Sequence, residues 1–328
     1  MSAHSLKQSP RSPRHARHDE ASSFVAQPAR IGTLVGHDFR LLRQLASGGM
    51  SEVYLAEHVR TGAYAAVKLQ AARGPKVVGL LTHEAALLSR VQHPNVVRAL
   101  ERGRLRDGTE YLVLEQVSGT DLADYLSQCG KLPVKRALHV LRQLASAVDH
   151  LHGVGIVHSD IKPSNLMLDT HRGDLVKLID FGVAFDLKTE RERRGSAGTA
   201  GYMAPEQLRG EACSPVTDRY AVAAVGHELI TGRPRLGVSP FKCKRGSGRA
   251  PSAVDVPGER CAVPGFGIIF ERALHEDPSQ RFATALAFVN ALERAYARAG
   301  ASPAAARTVL DRKRRRAAAC ADACWAAP

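Results

Sequence analysis

Four groups of residues in this 328-residue chain have types and spacings suited to chemistry on a phosphate-bearing ligand. Ser47-Gly48-Gly49-Met50-Ser51-Glu52-Val53 interrupts an alternating apolar pattern, and small residues in such a turn let backbone N–H groups approach phosphate oxygens closely. Standing alone, it reads as an ordinary hairpin turn. Lys68, in Ala66-Val67-Lys68, lies in an apolar strand, where an unpaired cation is costly and an anionic partner is needed. His158-Ser159-Asp160-Ile161-Lys162-Pro163-Ser164-Asn165 and Asp180-Phe181-Gly182 add Asn165 and Asp180, oxygen donors suited to Mg²⁺, a hard cation that also takes water and phosphate oxygens.

These groups need elements to position them. Alternation from Phe39 to about Gly62, then the run Tyr64 to Leu69, predicts strand, turn, strand and strand. Thr82 to Val91 has helical spacing; after the breaker His93-Pro94-Asn95, Val96 to Arg104 and Tyr111 to Leu114 are strand-like. Beyond Val117-Ser118-Gly119 the pattern turns helical, most clearly over Pro133 to His152, where Leu138, Leu141, Leu144, Val148 and Leu151 share one face. Ala221 to Ile230 is apolar all round, as a central helix is, and Phe270 to Tyr296 supplies helical segments broken at Asp277-Pro278. Residues 233–265 give no usable pattern.

The chain carries 46 Lys+Arg against 32 Asp+Glu, a net +14. Such a charge first suggests nucleic acid or an anionic surface. However, residues 1–36 carry +3 and residues 297–328 carry +5, so the tails hold more than half of the excess. Arg312-Lys313-Arg314-Arg315-Arg316 lacks interleaved aromatic residues and any DNA-binding motif, so a nucleic-acid role is not expected. Six scattered cysteines in a mid-sized chain read as reduced and cytosolic; Cys320 and Cys324, with no nearby His or second Cys pair, do not make a convincing zinc site. With neither an apolar run long enough to span a membrane nor a signal-peptide pattern, a cytoplasmic enzyme is expected.

With Ala204-Pro205-Glu206 following 22 residues after Gly182, five motifs stand in one order. From about Phe39 to Tyr296 the sequence resembles the eukaryotic-type (Hanks-type) serine/threonine protein kinases, in their bacterial branch. The resemblance implies an α+β, two-lobed fold: a small β-rich lobe over 37–115 with one main helix, a hinge at 115–119 and a larger helical lobe over 120–296. Residues 1–36 and 297–328 would be basic tails flanking a kinase domain over 37–296.

The resemblance also implies transfer of the γ-phosphoryl group of ATP to protein Ser/Thr hydroxyls, with Mg²⁺, or alternatively Mn²⁺, held by Asn165 and Asp180. Asp160 would accept or orient the hydroxyl proton, Lys162 would stabilise the transferring group, and Lys68 would hold phosphates while paired with Glu84. Leu45, Ala46, Ser47, Gly48, Gly49, Met50, Ser51, Val53, Ala66 and Met167 complete the implied nucleotide site. At the hinge, Glu115 and Val117 would offer backbone groups to adenine beside Leu114. Asp121 matches a ribose-contacting position, although an Asp there is equally a helix N-cap. His158 is implied as a packed structural residue, Gly198-Thr199 as part of the peptide-binding segment, and Glu206 with Arg281 as a buried structural pair.

Four departures stand out. Ala46 and Ser51 occupy positions where glycines are usual in the family, and Ala223 replaces a glycine of the central helix. The informative one is Ser159, where most members have an Arg that pairs with a phosphorylated activation-loop residue. Serine cannot make that pair, so competence without phosphorylation at Thr189, Ser196 or Thr199 is expected, even if these are autophosphorylation sites. Ala46 and Ser159 also motivate the competing reading of a weak pseudokinase scaffold; the intact set Lys68, Glu84, Asp160, Lys162, Asn165 and Asp180 opposes it. A small-molecule kinase would lack the Gly198-Thr199 to Glu206 segment.

Overall fold

A computed structural model describes residues 30–48, 50–71, 79–190, 199, 201–233 and 263–300. Gly49, the basic cluster Arg191, Arg193 and Arg194, Ser196, Gly198, residues 234–262 and most of both tails lie outside the described residues.

The small lobe is one antiparallel sheet. It contains β1 (Leu34–Val35), β2 (Phe39–Ser47), β3 (Ser51–His58), β4 (Tyr64–Gln70), β5 (Ala99–Arg104) and β6 (Glu110–Glu115), in the order β1-β2-β3-β4-β6-β5. Alternation in β2 puts Phe39 and Leu41 inward with Tyr54, Val67, Leu69 and Val113, forming a core on one sheet face. α1 (Leu80–Leu88) packs its Leu81, Ala85 and Leu88 into a second core shared with the large lobe. β6 is buried at nearly every position because Tyr111 and Val113 face the sheet core while Leu112 and Leu114 on its other face join the core shared with the large lobe.

Beyond the hinge come β7 (Thr120–Asp121), α2 (Leu122–Cys129), α3 (Val134–Gly153), β8 (Ile156–Val157), β9 (Leu166–Asp169), β10 (Leu175–Leu178) and β11 (Phe185–Asp186). The chain continues through α4 (Pro205–Leu208), α5 (Pro215–Thr231), α6 (Phe266–Ala273) and α7 (Ala285–Gly300). The apolar face read from the sequence of α3 packs against α5, which is buried almost throughout. Pro215 in the first turn and Gly232 in the left-handed region set the ends of α5.

Several boundaries differ from the sequence reading. The sheet starts ahead of Phe39: Leu34 and Val35 pair with Arg40 and Phe39, and Val35 is fully buried, so the end of the segment expected as a tail up to residue 36 is part of the small lobe. α1 begins at Leu80 and ends at Leu88, shifted from the expected Thr82 to Val91. Val96 and Val97 precede β5 and are instead buried against the large lobe, where Val96 bridges to Leu178 of β10. α6 starts at Phe266, and α7 runs past Tyr296 to Gly300. Packing against neighbouring elements shifts these ends in both directions, lengthening some segments and shortening others relative to their own periodicity.

The large lobe is fastened by an ion pair far apart in sequence. The Arg281 guanidinium forks onto Glu206 at 2.7 and 2.8 Å, donates to the His275 carbonyl and lies over the Tyr220 ring. Both residues are 4% exposed. Arg281→Ala leaves the Glu206 carboxylate buried without its cation, and urea unfolding should show a loss of about 3–5 kcal/mol. A loss below about 1 kcal/mol would show that water reaches and screens this pair.

Candidate active site

Between the lobes lies a cavity of ≈ 740 Å³. The positions predicted from the sequence as nucleotide-binding line it, with three exceptions. Gly49 lies outside the described residues. Met50 is 64% exposed and absent from the cavity wall, because the turn carries its side chain out to solvent. Glu84 sits behind Lys68, 1% exposed.

Lys68 is held by the register of β4 between β3 and β6. Its Nζ donates to Glu84 at 2.8 and 3.1 Å and to Asp180 at 2.9 Å. Burial pulls the ammonium's pKa down, but the two carboxylates outweigh it and hold it above the usual lysine value. Burial pushes the Glu84 carboxyl up against the pull of Lys68. For Asp180, burial again opposes charge, yet Lys68 and the Gly182 N–H keep it below the ordinary carboxylate value. Glu84 also accepts from the Phe181 N–H at 3.3 Å, so one carboxylate ties α1 to both the lysine and the Asp180-Phe181-Gly182 turn.

Next to the cavity, joined to it through the lining residue Asn165, Asp160 receives three donors. Lys162 Nζ lies 2.8 Å from its Oδ2, the Thr199 N–H donates to Oδ1 at 3.2 Å, and the Asn165 amide donates to Oδ2 at 3.1 Å. Lys162 also donates to the Thr199 hydroxyl at 2.9 Å. The Asn165 Nδ2 also donates to the Asp160 backbone carbonyl, which assigns its N–H groups to Asp160 and leaves the amide oxygen for another partner. His158 is fully buried edge-on to Phe181, and burial holds its imidazole below the usual value, in keeping with a neutral packing residue.

Two site-forming residues escaped the sequence reading. Asp218, at the start of α5, accepts from the backbone N–H groups of His158 and Ser159, both at 2.8 Å, and from the His152 ring. Nothing near Asp218 in sequence signals this role, because its partners lie about sixty residues earlier. Gly119 was read only as part of a boundary. It has φ +108, and a Cβ there would lie 2.2 Å from the Leu168 carbonyl oxygen, so only glycine lets the hinge run against β9. Asp121 caps α2 by accepting from the Asp124 N–H, one of its two sequence readings, and it also lines the cavity.

Burial opposes the Asp218 charge, but His152 and the loop N–H groups overcome it and hold its pKa below the usual value. A depressed pKa contributes stability that is present above the unfolded value near 4 and is lost as pH falls through the folded value. Asp218→Asn should therefore be less stable at pH 7 and show a shallower loss of stability below about pH 4 than the parent. Parallel acid-unfolding curves would refute a linked charge at this position.

The pattern of the protein kinase domain matches residues 39–291. The serine/threonine-protein kinase PknH of Mycobacterium bovis is 35% identical over 271 residues, covering 79% of this chain and 44% of that protein. PrkC of Bacillus subtilis is 36% identical over 208 residues, covering 62% and 32%. PknA of Mycobacterium tuberculosis is 32% identical over 284 residues, covering 84% and 64%. The chain spans less than two thirds of the length of each of these relatives. With the kinase pattern covering most of the chain and the two lobes closing on one cavity, the chain belongs to the protein kinase family.

Proposed function

We propose that this chain is a serine/threonine protein kinase that uses ATP and a divalent cation. The observation that carries the reading is the convergence of Lys162, Thr199 and Asn165 on the Asp160 carboxylate, beside a cavity whose wall includes Lys68 and Asp180. The relatives named above are serine/threonine-protein kinases, which supports the same class of acceptor.

The metal donors fit. Among the described residues no cluster of three or more His, Cys, Asp or Glu could hold a metal ion. Asp180, its side chain 44% exposed, and the amide oxygen of Asn165 would supply oxygen ligands and leave the remaining positions to phosphate and water. This is the donor set of Mg²⁺, and Mn²⁺ accepts it too. When bound, the cation would neutralise charge on the phosphates.

Lys68 stays charged between Glu84 and Asp180 and offers its ammonium to phosphate oxygens. Glu115 and Val117 line the cavity at the hinge, where their backbone groups would meet the adenine edge; the Glu115 N–H is engaged by the Arg98 carbonyl. Asp160 orients a serine or threonine hydroxyl and takes its proton, and Lys162 stabilises charge on the transferring group. Thr199, bonded to both, aligns the acceptor peptide.

Ser159 has φ +65, its N–H reaches Asp218, and its carbonyl accepts from Gln207 at 2.8 Å. Its hydroxyl is buried and without a hydrogen-bond partner. Backbone contacts thus hold the loop without the side chain, which supports competence without activation-loop phosphorylation. Thr189, Ser196 and Thr199 remain candidate autophosphorylation sites. Protein substrates and a cytoplasmic location belong to the same proposal; among the described residues no helix is long and apolar enough to cross a membrane.

Radiolabelled ATP with Mg²⁺ should label the chain itself or a generic basic protein. Asp160→Ala, Asp180→Ala and Lys68→Met should each reduce transfer by about 100-fold or more. Equal labelling of all four proteins, or none by the parent, would sink the reading in favour of a nucleotide-binding scaffold. Thr189→Ala combined with Ser196→Ala should retain most of the parent turnover, and its abolition would overturn phosphorylation independence.

A further inference from the structure

The segment following Asp180-Phe181-Gly182 is fastened at its base by α1 and its flank. Arg90, two residues beyond α1, donates through one guanidinium nitrogen to Asp186 of β11 at 2.5 Å and through the other to the Val154 carbonyl at 2.6 Å. Val154 is the residue on which α3 ends, just before β8, and β8 pairs with β11. One planar side chain therefore spans the two chain segments that bracket the Asp160 loop and the Asp180 turn.

Asp186 is built to receive it. The Lys188 N–H, then Arg90, hold its carboxylate below the ordinary value, and its backbone carbonyl accepts from the N–H groups of Thr189 and Glu190. Under this turn, Phe185 is fully buried with Val157 and Cys213. At the near end of α1, the His83 ring lies 3.1 Å from the Ala184 carbonyl and 3.9 Å from Glu190. The helix that carries Glu84 thus touches the 184–190 segment on both sides of that carboxylate.

We propose that Arg90 is a positioning residue for catalysis: its clamp on Asp186 and Val154 sets the base of the activation segment, the task Ser159 cannot perform through a phosphate. If the clamp opens, β11 is free to leave β8, and the turn holding Asp180 against Lys68 loses its footing. The inference rests on the kinase reading above. Parent transfer activity tests that reading alone, while backbone exchange tests the clamp without any turnover.

Arg90→Ala should lower kcat by about tenfold or more, since small misplacements remote from the chemistry are costly, with KM for ATP changing little. Arg90→Lys, which can keep only one of the two contacts, should fall between it and the parent. Arg90→Ala and Asp186→Ala combined should be scarcely worse than the poorer single variant, as for two residues acting as one unit. Amide hydrogen exchange at Leu187 to Glu190 should accelerate by about tenfold or more in Arg90→Ala. A lowered melting temperature with unchanged kcat would make Arg90 merely structural, and independent, multiplying effects would remove the unit; either overturns the proposal. Unchanged exchange at these amides overturns it even if the parent transfers no phosphate.

Discussion

A buried lysine with two carboxylates is the interaction on which the active cleft depends. Lys68 is 9% exposed and enclosed by strands, so its charge persists only because Glu84 and Asp180 face it. That requirement couples three elements. β4 presents the ammonium, α1 must lie close enough for Glu84 to reach it, and the Asp180-Phe181-Gly182 turn must point inward. Withdrawing β4 or α1 separates the buried Lys68–Glu84 pair, and moving the turn removes the second carboxylate from the ammonium, which favours one discrete arrangement over a continuum. The Phe181 N–H on Glu84 reinforces the same geometry from the backbone.

A second set of buried charges keeps the Asp160 loop in place. Asp218 projects from α5 at the centre of the large lobe and gathers the N–H groups of the loop just before Asp160. Gln207, one residue after Glu206, holds the Ser159 carbonyl, while Glu206 itself is locked by Arg281. The Asp160 carboxylate is thus carried on a loop, yet rooted through Asp218 in α5, a helix buried along most of its length. Positive φ at Ser159 costs conformational energy that these contacts offset.

The large net charge finds only a small role here. Within the cleft the cations that matter are Lys68 and Lys162, each engaged by carboxylates of the same site. Arg281, Arg136 and Arg90 serve as internal fasteners to Glu206, Asp174 and Asp186.

The cleft residues were legible because their types are rare in the surroundings their neighbours dictate: a lysine in an apolar strand, acids beside glycines, small residues in a hairpin turn. Five such groups in one order sufficed to identify the fold and the candidate site. The long helices were legible as well, since Val134–Gly153 and Pro215–Thr231 carry their patterns internally. The sequence alone could not place Met50 outside the cavity, turn the Asn165 amide so that its hydrogens face Asp160, or pair Asp218 with His158 and Arg90 with Asp186. The last two contacts join residues with no local relation, 60 and 96 apart in the chain. Only the packed tertiary structure decides them, because a buried donor or acceptor takes whichever partner the fold brings within reach.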